Sequence, residues 1–284
     1  MVSLLSTILI FAAADPAAEV ARAVKPFESA AHTPKDLQAG LAIVAGLGEK
    51  AVPPLLDRLK TGTTETWFVC EALGRVGGLE ALPPIATKLS SQDWVVRSSC
   101  ATGYGAILAR VPHEPAVVEP LRAVVKSDAK CEVRMNGALA AGPAQDASLR
   151  GDWETALRNP DSYSCDRRVA LMGLRSAKTG KDRLGPLILP ILNDGEEDPW
   201  TREAAADAIG ELAFAPAREA FLALLDEKDA GANVCAEAIE GLGAVGLAKD
   251  IPRLQRVIKE DPNGSKGILA VNARAAIKKI KSRK

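Results

Sequence analysis

Hydrophobic and polar positions alternate with a helical rather than a strand-like period along most of the chain. From about Pro34 onward one pattern recurs: an Ala-rich amphipathic segment, a Gly-containing turn, then a second apolar segment entered through Pro. Aligning the turn glycines places Gln38, Thr66, Arg97, Arg134, Arg167, Arg202, Cys235 and Asn272 at one equivalent position. Three and four places later come small or apolar pairs such as Leu41/Ala42, Cys100/Ala101, Gly137/Ala138, Ala205/Ala206 and Ala275/Ala276, which share one helical face. Eight places later, or six in the unit of Cys235, Gly46, Gly74, Gly105, Gly142, Gly210 and Gly241 fall where a left-handed cap would end the helix.

The second segments are equally alike, among them AVPPLLDRLK, ALPPIATKL and DIPRLQRVIK. Pro53, Pro83, Pro216 and Pro252 suit the first helical turn, where the N–H they lack has no acceptor. Pro120 and Pro190 read as deeper positions that kink or shorten their helices. Each unit therefore reads as two antiparallel helices that cannot bury both faces alone. Stacking buries them, so the expected fold is all-α: an α-solenoid, a right-handed superhelix of antiparallel helix pairs, over residues 34–284 with a basic C-terminal capping helix.

DWVVRSSCATGYGA (Asp93 to Ala106), KCEVRMNGALAAG (Lys130 to Gly142) and DPWTREAAADAIGEL (Asp198 to Leu212) resemble HEAT repeats, particularly the short type found in phycobilisome-lyase-like proteins. The likeness spans roughly Pro34 to Ile280. It implies a partner-binding array, and Asp–Arg bridges between neighbouring units formed by Asp93, Arg97, Arg134, Arg167, Asp198 and Arg202. The subtype also implies an alternative function, a lyase or lyase chaperone for a thiol-linked cofactor.

Composition narrows the picture. The 36 Lys+Arg balance 36 Asp+Glu, so no overall charge favours nucleic acid. Aromatic residues make up only 4%, which suits closely stacked Ala-rich helices. Residues 1–14, MVSLLSTILIFAAA, lack charge and end in an A-x-A-like site, the pattern of a secretory signal peptide. Residues 15–33 read as a polar lead-in. The mature protein is accordingly expected to be exported, periplasmic or secreted, with no membrane span.

In an oxidising compartment Cys131 and Cys165, just before equivalent Arg positions of adjacent units, are the best disulfide candidates. Cys70 and Cys100 read as small core residues. At the last turns of the second helices Lys60, Lys126, Arg158 and Lys259 form a basic stripe and a tentative surface for a protein or peptide partner. Trp67, Trp94, Trp153 and Trp200 read chiefly as buried packing. No catalytic or metal-binding motif stands in its required context. Gly241-Leu-Gly243-Ala-Val-Gly246 has no preceding strand, and His113-Glu114 is one isolated pair. The expectation is a non-catalytic interaction scaffold without a cofactor.

Overall fold

A computed structural model describes residues 15–29, 31–62, 64–159, 162–177, 180–227 and 229–283. The expected signal peptide, residues 1–14, lies outside them. Helix α1 (Pro16–Val24) precedes a series of helix pairs: α2 (Pro34–Leu47) with α3 (Val52–Thr61), α4 (Thr66–Val76) with α5 (Leu82–Lys88), and α6 (Trp94–Leu108) with α7 (Glu119–Ser127). The series continues with α8 (Cys131–Ala141) and α9 (Ala147–Arg158), α10 (Ser164–Ala177) and α11 (Lys181–Asn193), α12 (Pro199–Glu211) and α13 (Arg218–Leu224). Helices α14 (Ala232–Val245) and α15 (Ile251–Glu260) form the last pair, and α16 (Ile268–Ser282) closes the stack. Short 3-10 turns join the two helices of most pairs. The architecture is an α-solenoid.

Carboxylates and hydroxyls set the helix starts. Asp15, Thr33, Asp93, Asp146 and Asp198 each accept a backbone N–H of the first turn, and Thr33 with Asp36 forms a reciprocal capping box. Pro120 falls in the first turn of α7, where it costs little, rather than deep inside the helix as expected; Pro186 and Pro190 do lie within α11.

First helices pack against first helices more closely than second helices pack against one another, which places the first-helix row on the inside of the stack's curve. Glycine makes this possible. Gly74, Gly105, Gly210 and Gly241 were expected to sit in left-handed caps; instead they lie in helices, the first three against the next first helix and Gly241 against the Phe221 ring of α13. A Cβ on Gly74 would stand 2.6 Å from the Gly103 Cα, and one on Gly210 would stand 3.1 Å from the Gly241 Cα. Among the described glycines, positive φ occurs at Gly48, Gly180, Gly231 and Gly264. The sequence G-x-G-x-x-G at Gly241 is thus the packing face and end of α14 rather than a turn between helices.

The expected polar lead-in folds over residues 15–29 as a helix and a 3-10 turn rather than a linker. Val20, Ala23, Val24 and Phe27 are buried against the first repeat, with Phe27 stacked on Phe68 at 4.2 Å. The four apolar positions fall on one face of α1 and the turn after it, a pattern too short to stand out from the polar residues around it. Pro34–Thr61 is the one described stretch long and apolar enough to cross a membrane, and it is folded as α2 and α3, broken by a turn at Gly48.

Candidate functional site

Four arginines at the equivalent position of successive first helices make one repeated contact. Arg97 on α6 donates to Asp128 at 2.6 and 3.0 Å, and Arg202 on α12 donates to both oxygens of Glu227 at 2.7 and 2.8 Å. Arg134 pairs with Asp166 and Arg167 with Glu197. Each carboxylate stands at the entry to the next first helix. The same side chains also reach backwards to carbonyls at the end of the preceding second helix: Ser91 O for Arg97, Val125 O for Arg134, Asn159 O for Arg167 and Leu192 O for Arg202. Each arginine therefore ties three consecutive units. Thr66 and Cys235 keep only the backward contact, to Gly62 O at 3.1 Å and Leu224 O at 3.6 Å. Burial alone would push the Asp128 carboxyl upward, but the Arg97 guanidinium and the Lys130 N–H hold it below the usual carboxylate range.

The bridges differ from the expected set in one respect. Asp93 and Asp198 cap the helices that carry Arg97 and Arg202, accepting from Val95 N and Thr201 N, and they do not pair with those arginines across units. A residue three or four places before the arginine has its own helix N-terminus to satisfy, so an acid one unit away takes the guanidinium.

The expected basic stripe on the second helices is largely neutralised. Lys60 pairs with Asp57 at 3.1 Å, Lys126 with Asp152 at 3.5 Å and Arg158 with Glu154 at 3.1 Å; Lys259 is exposed. Sequence alignment of the units counted the cations and left out acids that lie one turn away or on the adjoining helix.

Cys131 and Cys165 are bonded, joining α8 to α10 across a Cα separation of 5.8 Å. Cys70 and Cys100 are buried as expected, but they are also bonded to each other, joining α4 to α6. The second bond went unread because two cysteines thirty residues apart in Ala-rich segments look like core positions, and only the stacking brings their Cα atoms within 4.8 Å. Cys235 is the described free cysteine, and burial raises its thiol pKa.

A different surface stands out on the inner row. On α12, Glu203, Asp207 and Glu211 recur every four residues and so share a face; on α14, Glu237 and Glu240 stand beside them. Arg175 on α10 pairs with Asp207 at 2.9 Å, Asn233 donates to Glu203 at 3.2 Å and Asn272 donates to Glu240 at 3.0 Å. Burial, with the neighbouring carboxylates adding to it, raises Asp207 to about 6 and Glu237 to about 7. The tract is thus crowded with negative charge that water solvates poorly, an arrangement often found where a ligand is received.

The surroundings are partly apolar. A hollow of about 130 Å³ is lined by Met135, Arg168, Met172, Trp200, Asp207 and Glu237. On the other side of Trp200, at the rim of the stack, a larger hollow of about 500 Å³ is bounded by Gly195, Glu203, Glu227, Asp229 and Asn233. The Trp200 ring is 61% exposed between the two. Trp94, in the first turn of α6, is also exposed, whereas Trp153 is buried. The expectation of buried tryptophans therefore fails at the two helix starts, where the ring projects from the first turn instead of stapling it. Among the described residues no group of three or more His, Cys, Asp or Glu side chains is arranged to hold a metal ion.

A family model of HEAT repeats matches residues 156–270, the span from the end of α9 into α16. Three solved structures are similar over most of the chain. Human deoxyhypusine hydroxylase in complex with glycerol is 19% identical, covering 94% of this chain and 97% of that one, with a TM-score of 0.39. One engineered protein is 16% identical over 93% of this chain and 78% of its own, at a TM-score of 0.40. A second is 16% identical over 93% and 97%, at 0.37. No curated protein sequence matches the chain. The stacked pairs of residues 156–270 match HEAT repeats, and the helix pairs before them continue the same solenoid architecture.

Proposed function

We propose that this protein is a non-catalytic, exported scaffold that binds a protein partner along the inner, first-helix face of its solenoid. The observation that carries this reading is the tract on α12 and α14, where Glu203, Asp207, Glu211, Glu237 and Glu240 gather beside the exposed ring of Trp200. HEAT repeats generally act in protein interaction, and an extended array offers surface rather than a deep pocket. The basic stripe of the second helices is the weaker candidate, because three of its four cations are paired within the chain.

Export is supported by the signal-like residues 1–14 and by two pairs of cysteines placed to bond between repeats. A photo-crosslinking residue placed at Met172 on the inner face and, separately, at Lys259 on the outer row tests the surface. A discrete partner adduct from Met172 and none from Lys259 is expected; the opposite distribution would move the site to the outer row. Sequencing the N-terminus of protein recovered from outside the cytoplasm should find Asp15, and recovery of an uncleaved cytoplasmic chain would reject export.

A further inference from the structure

Resting on the inner-face reading above, we infer that the partner presents a cationic segment, with a Lys or Arg side chain seated against Trp200 in the rim hollow and further cations lying along α12 and α14. Three features support this assignment. First, the rim hollow combines a large exposed indole with the carboxylates of Glu203 and Asp229, while Glu227 on the same wall is already paired with Arg202; an aromatic face beside anions is a recurrent receptor for ammonium and guanidinium groups. Second, the inner hollow on the other side of the same ring carries Glu203, Asp207 and Glu237, so one extended or helical segment crossing Trp200 meets carboxylates on both sides. Third, the tract has defined ends. Arg168 and Arg175 on α10 bound it on one side and Lys279 on α16 on the other, which limits the cationic stretch to the width of two repeats.

The unliganded state supports the same direction. Glu227 is held by Arg202, and Asp207 pairs with Arg175 while the carboxylates of Glu203, Glu237 and Glu240 crowd it, with Arg168 and Lys279 at the two ends of the tract. A bound cation would relieve this repulsion and gain from the limited access of water, so contacts here yield more than the same charges would on an open surface. The groups facing Asp207 and Glu237 are Glu203 and Glu211 on α12, Glu240 on α14, Arg168 and Arg175 on α10, and Lys279 on α16. Asp207 and Glu237 ionise between pH 5 and 8, so binding of a cation should strengthen over that range.

The test uses the full chain and a fluorescein-labelled dodecapeptide of alternating Lys and Ala, with a Gly-Ser dodecapeptide and a Glu-Ala dodecapeptide as controls. Fluorescence anisotropy at low salt should give binding of the Lys peptide at least tenfold tighter than either control, weakening at high salt, and tighter at pH 8 than at pH 5.5. Glu203→Gln combined with Glu237→Gln should weaken it at least tenfold, Trp200→Ala about fivefold, and Trp200→Phe less; Asp57→Asn on the outer row should leave it unchanged. The neutralising pair removes repulsion between α12 and α14, so it retains the fold, and circular dichroism checks this. Equal affinity of wild type and the neutralised variant, or no preference for the Lys peptide, would overturn the cationic assignment. If the Met172 crosslinks persist in full in that variant, the inner-face scaffold stands and only the partner's charge is wrong. If the Lys peptide binds as expected while Met172 yields no adduct, the chemistry of the tract stands and the scaffold reading fails.

Discussion

The two halves of the solenoid fold the same helix pair and hold it together differently. Between α4 and α10 two disulfides cross neighbouring inner helices, and the inner face is quiet: Ser99 donates to Glu71 and Asn136 donates to Ser98. From α10 to α16 no disulfide joins the described residues; Arg167 and Arg202 are the links, and the inner face carries the acidic tract. The HEAT-repeat match falls on this second half. A covalent staple makes joints that need little from their surface, whereas the half held by non-covalent contacts also carries mutually repelling carboxylates. Binding regions are commonly drawn from the less stable parts of a fold, and the acidic tract falls at joints that lack a covalent link.

The sharpest way to break the comparison is to remove a staple. Replacing both Cys70 and Cys100 with Ala opens a link between residues 30 apart, and the chain-entropy estimate for such a loop is about 3–4 kcal/mol. Urea denaturation should register a loss of that size; an unchanged midpoint would mean that packing alone holds α4 to α6. Glycine substitutions compare the two halves directly. Gly103→Ala drives a methyl into the Cys70 carbonyl and should cost about 3 kcal/mol, whereas Gly210→Ala, with 3.1 Å to the Gly241 Cα, should cost about 1 kcal/mol. Equal losses would show that the helices of the stapled half can shift as readily as the others.

Arg202→Met removes the guanidinium that spans α11, α12 and the entry to α14. The residue is 6% exposed and its partner Glu227 is more open to water, so the expected loss is about 2 kcal/mol by thermal melting. The smallest effect is a pH dependence. Asp207 and Glu237 titrate near 6 and 7 when folded, above their values of 3.8 and 4.5. A carboxyl whose folded pKa is raised binds more protons folded than unfolded, so its contribution is most favourable below the unfolded pKa and declines as pH rises through the folded one. The melting temperature should therefore fall modestly between pH 5.5 and pH 7.5, above the range in which carboxyls with lowered pKa such as Asp128 and Asp250 add stability, and Asp207→Asn with Glu237→Gln should flatten the slope. A rise over that range would contradict the repulsion assigned to the tract.

Local patterns made the repeats legible before any coordinates: the period of the apolar positions, the prolines opening second helices and the arginine recurring in register. The acidic tract was present in the same letters, with Glu203, Asp207 and Glu211 spaced by four. Its meaning depended on α14 bringing Glu237 and Glu240 alongside, and a search confined to equivalent positions within units passes over residues that become neighbours only between units. The stripe of Lys60, Lys126 and Arg158 fails for the converse reason, since its neutralising acids are one turn or one helix away.

The sequence by itself determined the helix pair, the prolines that open its second helix and its repetition, because these rest on interactions within a few residues of one another. Only the tertiary structure decided which acid meets which arginine, that Cys70 lies beside Cys100, that glycines serve close approach rather than caps, and where negative charge accumulates. Those outcomes depend on distances between helices some thirty residues apart in the chain, and the stacking geometry sets such distances.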